Sequence, residues 1–293
     1  MVEFIDKHRE VSGVESICEV LPIAPSTYYE QAARRREPAL RADRAKRDEV
    51  LLPEIKRVHF ASHGGVYGAE KVWRQLGREG IVAARCTVER LMRAAGLRGV
   101  TRGRAFTVTT ESCELAARAP DLVNRAFRAS RPNQLWVADI TYIPLRTAGF
   151  AYLALVMDRF SRRVVGWQLA NHMSESLVCQ ALRSAIRTRQ PRAGLIHHSD
   201  RGGQYAGGEY RSLMRRTEMR QSMSRARNCY DNAFMESCFG TIKTELEMTE
   251  YDDIAGARRE LASYLSYYNL ERRHSSLDYL SPAAFEQLHT PPG

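Results

Sequence analysis

An α/β domain preceded by all-α modules is the fold class this sequence predicts, and three observations predict it. Apolar residues recur at helical spacing through residues 14–33 and again through 43–95. From about residue 133 the pattern changes to short runs of strand character. Those runs come first as three in series and then alternate with helical stretches, which is the order of an α/β sheet protein.

Residues 14–33 read as two short helices around a turn. Val14, Ile17, Cys18 and Leu21 have helical spacing, and Pro22-Ile23-Ala24-Pro25 breaks it. Ser26 or Thr27 is placed to cap a second helix running through Tyr28 and Tyr29. That outline suits a helix-turn-helix, whose second helix enters a DNA major groove; an ordinary helical hairpin fits the same spacing. Arg34-Arg35-Arg36-Glu37-Pro38 then opens a charged linker. A second helical module follows, with helices over about 43–60, 69–79 and 85–95, separated by Gly64-Gly65 and Gly80. Val72, Trp73 and Leu76 form the inner face of its middle helix, and Val88, Leu91 and Met92 that of its last. Arg85, Arg90 and Arg93 are polar partners on that last helix and its candidate DNA contacts. Residues 98–131 carry Arg98, Arg102, Arg104, Arg118, Arg125, Arg128 and Arg131 with weak apolar periodicity. They read as a linker lying along DNA phosphates or as a surface tether.

Residues 134–143 alternate, which places Leu135, Val137, Asp139, Thr141 and Ile143 on one strand face. Residues 150–157 are almost continuously apolar, as in a strand covered on both faces. A third strand spans 163–170, a helix spans 174–189, and a strand over 194–198 presents Asp200. A helix near 208–217, a short strand at 219–222 and a helix carrying Glu236 complete the set. Residues 253–270 form an amphipathic helix with Leu261, Tyr264, Leu265 and Tyr268 on its inner side.

Three acids stand in this frame where a carboxylate is locally unusual. Asp139 interrupts Leu135-Trp136-Val137-Ala138-Asp139-Ile140, and Asp200 ends Leu195-Ile196-His197-His198-Ser199-Asp200. Glu236 follows after 35 intervening residues, in Asp231-Asn232-Ala233-Phe234-Met235-Glu236. An unpaired carboxylate in an apolar row is costly and calls for cations or hydrogen-bond donors. Two strand acids and one helix acid suit a pair of Mg2+ ions, hard cations that take oxygen ligands and keep positions open for phosphate oxygens and water; Mn2+ is expected to substitute. Two such ions about 4 Å apart can clamp the attacking and leaving oxygens of a phosphodiester exchange. On the Glu236 helix, Phe234, Met235, Cys238, Phe239, Ile242 and Leu246 form one apolar stripe, while Glu236, Gly240 and Lys243 fall on the other side. Lys243 therefore points with Glu236 and could touch a phosphate. Asp158 reads as a turn residue and Asp231 as a helix N-cap. Asn232 could cap or contact substrate, Arg201-Gly202-Gly203-Gln204 could approach a phosphate through its glycines, and one of His197 and His198 is expected in the core with the other towards DNA.

Four stretches in order resemble the insertion sequence three family of transposases, second-open-reading-frame type, within the wider group of acidic-triad transposases and retroviral integrases. They are Leu135-Trp136-Val137-Ala138-Asp139-Ile140-Thr141-Tyr142, His198-Ser199-Asp200-Arg201-Gly202-Gly203-Gln204-Tyr205, Asp231-Asn232-Ala233-Phe234-Met235-Glu236-Ser237 and Tyr268-Asn269-Leu270-Glu271-Arg272-Arg273-His274-Ser275-Ser276-Leu277. The resemblance implies a ribonuclease-H-like catalytic core with a mixed five-stranded sheet, preceded by helix-turn-helix modules. It implies Asp139, Asp200 and Glu236 as catalytic metal ligands, a basic residue at Lys243, and Asn269, Arg272 and His274 in a C-terminal signature that contacts DNA or a subunit or caps the packing. It also implies nicking at transposon ends followed by 3′-hydroxyl strand transfer, on terminal inverted repeats and target DNA, by at least a dimer. An upstream-frame protein, or fusion with it, is the further partner implied. A non-catalytic DNA-binding inhibitor of transposition and a structure-selective nuclease are the competing readings. The expected divisions are 1–37, 43–98, a basic linker over 99–131, a catalytic core over 132–250 and a helical extension over 251–293.

Composition agrees with a polyanion partner. The 293 residues carry a net charge of +10, and residues 1–130 hold 23 Lys/Arg against 17 Asp/Glu. The basic excess leans towards the end that holds the helical modules. Six cysteines, at 18, 86, 113, 179, 229 and 238, form no Cys-x-x-Cys pair, which argues against zinc fingers and a disulfide framework. No signal-peptide pattern opens the chain and no apolar run reaches membrane-spanning length. A cytoplasmic, nucleoid-associated bacterial protein is the expectation.

Overall fold

The computed structural model describes residues 1–101, 119–124, 126–146, 149–224, 233–246 and 250–290. Three helices open the chain: α1 (Val2–Ser12), α2 (Val14–Val20) and α3 (Pro25–Arg36). They close on a small core of Ile5, Ile17, Cys18 and Tyr28. Periodicity foretells only the last two, because α1 buries Ile5 alone and so leaves almost no apolar stripe to read. The expected Ser26 or Thr27 cap is not made. Ala24 is the N-cap of α3 and Pro25 begins the helix, a position where its missing N–H costs nothing.

Next come α4 (Asp43–Ala61), α5 (Ala69–Arg78) and α6 (Arg85–Ala94). Ile55, Val58, Val72, Leu76, Val88, Leu91 and Met92 make their shared core. The α4–α5 turn needs a glycine: Gly65 sits at φ +112°, and a Cβ there would lie 2.8 Å from His59 Nε2.

Five strands form one mixed sheet in the order β3-β2-β1-β4-β5. They are β1 (Leu135–Leu145), β2 (Gly149–Asp158), β3 (Val164–Ala170), β4 (Ile196–Ser199) and β5 (Arg220–Met223). The first three pair antiparallel, and β1–β4 and β4–β5 pair parallel. Helices α7 (Glu175–Arg189) and α8 (Gly208–Arg216) cover one face, packing against Trp136, Ala138, Ala154 and Val156. At Gly166, α7 comes so close that a Cβ would meet the Ala181 carbonyl oxygen at 2.4 Å. On the other face Leu135, Val137, Ile143, Leu153, Leu155 and Met157 meet α9 (Ala233–Glu245) and α10 (Ile254–Leu270).

The α4–α6 core belongs to that same apolar cluster, so the second helical module is docked on the sheet domain. Polar pins reinforce the docking. The Arg273 N–H donates to the Tyr67 hydroxyl at 2.8 Å, and Arg78 donates to the Asp278 carbonyl at 2.8 Å. The chain ends on α11 (Pro282–His289), whose Glu286 takes bonds from Ser161, Arg163 and Arg189. No described helix is long and apolar enough to cross a membrane.

Candidate active site

β1 is the central strand, and its register with β4 pairs Ala138 with Ser199. The next residues are Asp139 and Asp200, so the two carboxylates stand side by side on strands about 4.8 Å apart. Alternation puts Asp139 on the Val137 face, towards α9, where Glu236 occupies the first turn. The charges of Asp200 and Glu236 both act on Asp139. Burial, and then those charges, push its carboxyl well above the usual carboxylate range, although the Ile140 N–H donates to it at 2.8 Å. The Tyr205 phenol is pushed up in the same way, by burial and then by Asp200 and Asp139. Asp200 is held by a tight turn: the Gly202 N–H donates to its Oδ1 at 3.0 Å, and a Cβ on Gly202 would lie 3.0 Å from that oxygen and 2.6 Å from Gln204 Oε1. Asp139 and Asp200 are partly exposed and Glu236 is exposed, so the group opens to solvent.

Among the described residues no three His, Cys, Asp or Glu side chains close into a ready metal cage. Magnesium does not require one, because it keeps waters and takes substrate phosphate oxygens as ligands. Carboxylates placed so that the charges of Asp200 and Glu236 raise the proton affinity of Asp139 fit hard divalent cations, which would relieve that repulsion. Lys243, two turns along α9, sets its ammonium 4.8 Å from the Tyr142 ring centre, and burial lowers its pKa.

The remaining sequence-derived residues scatter. On α6, Arg85 pairs with Glu70 at 3.1 Å, Arg90 with Asp48 at 2.7 Å and Arg93 with Glu89 at 3.4 Å. Arg93 keeps most of its surface in solvent. Arg201 donates to the Ser224 carbonyl at 2.7 Å. Arg102, Arg104 and Asn232 lie outside the described residues, as does Asp231.

Some expectations need correction. Arg272 is buried, and its guanidinium grips Glu245 through two bonds of 2.8 and 2.6 Å, which spends it inside the fold. In the same signature Asn269 clasps both backbone groups of Val164 at 2.9 and 2.8 Å, and His274 is buried. Packing takes these three side chains. His197 and His198 are both buried, on Tyr210 and Ser222 respectively, so neither faces DNA. Asp158 ends β2 and accepts N–H bonds from Asn133 at 2.7 Å and Phe160 at 2.9 Å. Sequence reasoning passed over Arg159 and Arg162, which line a basic cavity beside α9; the run of three arginines in Asp158-Arg159-Phe160-Ser161-Arg162-Arg163 is the signal that could have marked them.

A mixed five-stranded sheet of this order, with helices on both faces, is the frame of an integrase-type core, and comparison with known proteins agrees with that fold. The integrase core domain matches residues 129–229 and again 217–282, and an HTH-like domain matches 46–105. The transposase for insertion sequence element IS629 of Shigella sonnei is 41% identical over 99% of this chain and 96% of its own length. The putative transposase for element IS986/IS6110 of Mycobacterium tuberculosis is 42% identical over 92% of this chain and 96% of its own. The chain belongs to the insertion sequence three family of transposases, of the second-open-reading-frame type. Among solved structures, the simian T-cell lymphotropic virus intasome is similar at a TM-score of 0.46 and 16% identity, over 82% of this chain and 75% of that one. The HTLV-2 integrase catalytic core in complex with magnesium is similar at 0.44 and 16%, over 54% of this chain and 99% of that one.

Proposed function

We propose that this chain is a DNA transposase that nicks the ends of its own insertion sequence and joins the freed 3′-hydroxyls to target DNA. The observation that carries the reading is the trio Asp139, Asp200 and Glu236, drawn from β1, the end of β4 and the first turn of α9, with their charges coupled at Asp139. Asp139, Asp200 and Glu236 would hold two Mg2+ ions, with Mn2+ able to substitute. The ions would supply Lewis acidity: a nucleophile active at neutral pH and stabilisation of the leaving oxygen.

The protein's own contributions follow from the fold. The β1–β4 register supports Asp139 and Asp200 as neighbours, and the charge of Glu236 acting on Asp139 supports it as the third member. Lys243 extends from the same helix to meet a phosphate oxygen. Water attacks one phosphodiester and leaves a 3′-hydroxyl; that hydroxyl then attacks a second phosphodiester, whose own 3′-oxygen departs. The second step makes one phosphodiester for each one broken, so no external energy source is needed.

The HTH-like stretch would read the terminal inverted repeats, with Arg85, Arg90 and Arg93 at the DNA, Arg102 and Arg104 following along the backbone, and Arg201 and Asn232 nearer the reacting strand. Two ends must be joined, so a dimer or larger assembly works on DNA, in the bacterial cytoplasm on the nucleoid. The upstream-frame product, free or fused, is its partner. A strand-transfer assay with labelled terminal-repeat DNA tests the reading. Wild type should give joined products with Mg2+ or Mn2+, and Glu236→Gln should lose them by at least about 10²–10³-fold, the scale of losing one transition-state stabiliser. Binding without cutting or joining by either protein would make this chain a binding subunit or inhibitor, and cutting without joining would make it a nuclease.

A further inference from the structure

Five cationic side chains meet around one cavity that the acid trio does not use. The cavity, about 160 Å³, is lined by Lys71 from α5, Arg159 and Arg162 from the β2–β3 turn, and Arg272 and Arg273 after α10, with Phe234, Ser237 and Thr241 from α9. One carboxylate, Glu245, serves this cluster among the described residues: Arg272 takes it through two bonds, and Lys71 stands 3.6 Å away. Arg273 directs its Nε to Gln75 at 2.9 Å and pairs with no described acid. Neither Arg159 nor Arg162 has a carboxylate partner among the described residues.

These two arginines share a single ring instead. Arg159 lies 3.7 Å from the Phe234 ring centre and Arg162 lies 5.9 Å from it. The Arg159 Nε is buried with no hydrogen-bond partner among the described residues, a cost that persists in a fold only when something offsets it. Arg162 occupies the left-handed backbone region at φ +59°, an unfavourable place for a long side chain. Crowding of like charge is felt through the cluster. Burial and Arg162 push the Arg159 pKa down to about 10, and burial and Arg272 push Lys71 down to about 8. A single anion in the cavity would meet the buried Nε and the crowded charges together.

The place of the cavity points to its anion. It is walled by the helix that carries Glu236, by α5 of the HTH-like stretch and by the C-terminal segment. Phe234, Ser237 and Thr241 lie roughly 100–160° around α9 from Glu236, so the cavity is a separate flank from the acids. Resting on the transposase reading, we propose that this cavity is a phosphate site that grips a backbone phosphate of bound DNA other than the one being cut. It would tie the DNA held at the active site to the helical module that reads the end.

The test needs no catalysis. A labelled duplex of arbitrary sequence is titrated in EDTA over a series of salt concentrations, with wild type, Arg162→Gln, Arg159→Gln and Arg162→Lys, each first shown by thermal melting to be folded. Arg162→Gln should weaken binding severalfold on every sequence alike and reduce the slope of log affinity against log salt by about 0.9, one phosphate contact. Arg162→Lys should keep the wild-type slope. Unchanged slopes in folded Arg162→Gln and Arg159→Gln overturn the proposal while leaving the transposase reading intact, provided wild type still joins DNA. Inorganic phosphate is titrated in parallel. If it raises the melting temperature of wild type but not of Arg162→Gln while the DNA slopes agree, the site serves a free anion and the DNA assignment falls. A wild-type chain that binds no duplex overturns the phosphate site, and strand transfer on terminal-repeat DNA decides the transposase reading separately.

Discussion

Asp139 illustrates what a single residue can disclose. An acid in an apolar row is legible in sequence because its cost is local, and the structure adds the two neighbouring charges that raise its pKa further. A carboxyl with a raised folded-state pKa lends stability that is fully present below the ordinary carboxylate range and is lost as pH rises through the folded value. Metal-free Asp139→Asn should therefore melt a few degrees above wild type at pH 8 and alongside it at pH 3, because the amide oxygen can keep the Ile140 N–H bond. Equal melting of the two proteins at pH 8 would show that Asp139 bears no such strain. Arg272 illustrates the opposite case. Nothing near it in sequence says that its partner is Glu245, 27 positions away, and an arginine in the basic run Arg272-Arg273-His274 reads as a DNA contact. Among the described residues, Arg272→Met leaves Glu245 buried with Lys71 and the Tyr264 hydroxyl as its partners, and should cost about 3–5 kcal/mol of stability. Urea unfolding measures that, and an unchanged midpoint would return Arg272 to the surface.

At the scale of elements, apolar pattern located α4, α5, α6 and all five strands to within a few residues, because the strands and the inner stripes of α5 and α6 are buried and α4 joins them through Ile55 and Val58. α1 escaped because it buries one residue. The apolar content of β4 was legible, but the fate of its two histidines was not, since the side chains covering them, Tyr210 on α8 and Ser222 on β5, come later in the chain. Burial, and secondarily His198, push the His197 pKa down to about 3. The unfolded chain takes up that proton near the usual 6.5 while the fold refuses it, so stability drains away as pH falls from about 6.5 towards 3, by at most about 1.4 kcal/mol per pH unit. Replacing His197 with Met should flatten the pH dependence of the urea-unfolding free energy by that amount between pH 6 and 4. A slope as steep as wild type's would place the acid sensitivity elsewhere, His274 being the next buried histidine held neutral.

For the whole molecule, the continuous core from α4–α6 through β1, α9 and α10 makes the HTH-like stretch part of the same packed body as the sheet. Trp73 in α5 and Trp136 in β1 should report one coincident thermal transition, whereas two separated transitions would mean that the docking is weak. That docking was not legible in the sequence, where the regions are read only as separate divisions with a basic linker over 99–131 between them. The acid trio was legible as spacing and context, but its side-by-side placement rests on the β1–β4 register, which no local pattern carries. The central claim is that these acids hold the metal ions of a strand-transfer centre, and thiolate substitution tests it most directly. A thiolate is a soft ligand that suits magnesium poorly and manganese better. Asp139→Cys and Asp200→Cys should both be inactive with Mg2+ and regain strand transfer with Mn2+, as a metal ligand must. Cysteine variants that join DNA in Mg2+ as wild type does would contradict the claim.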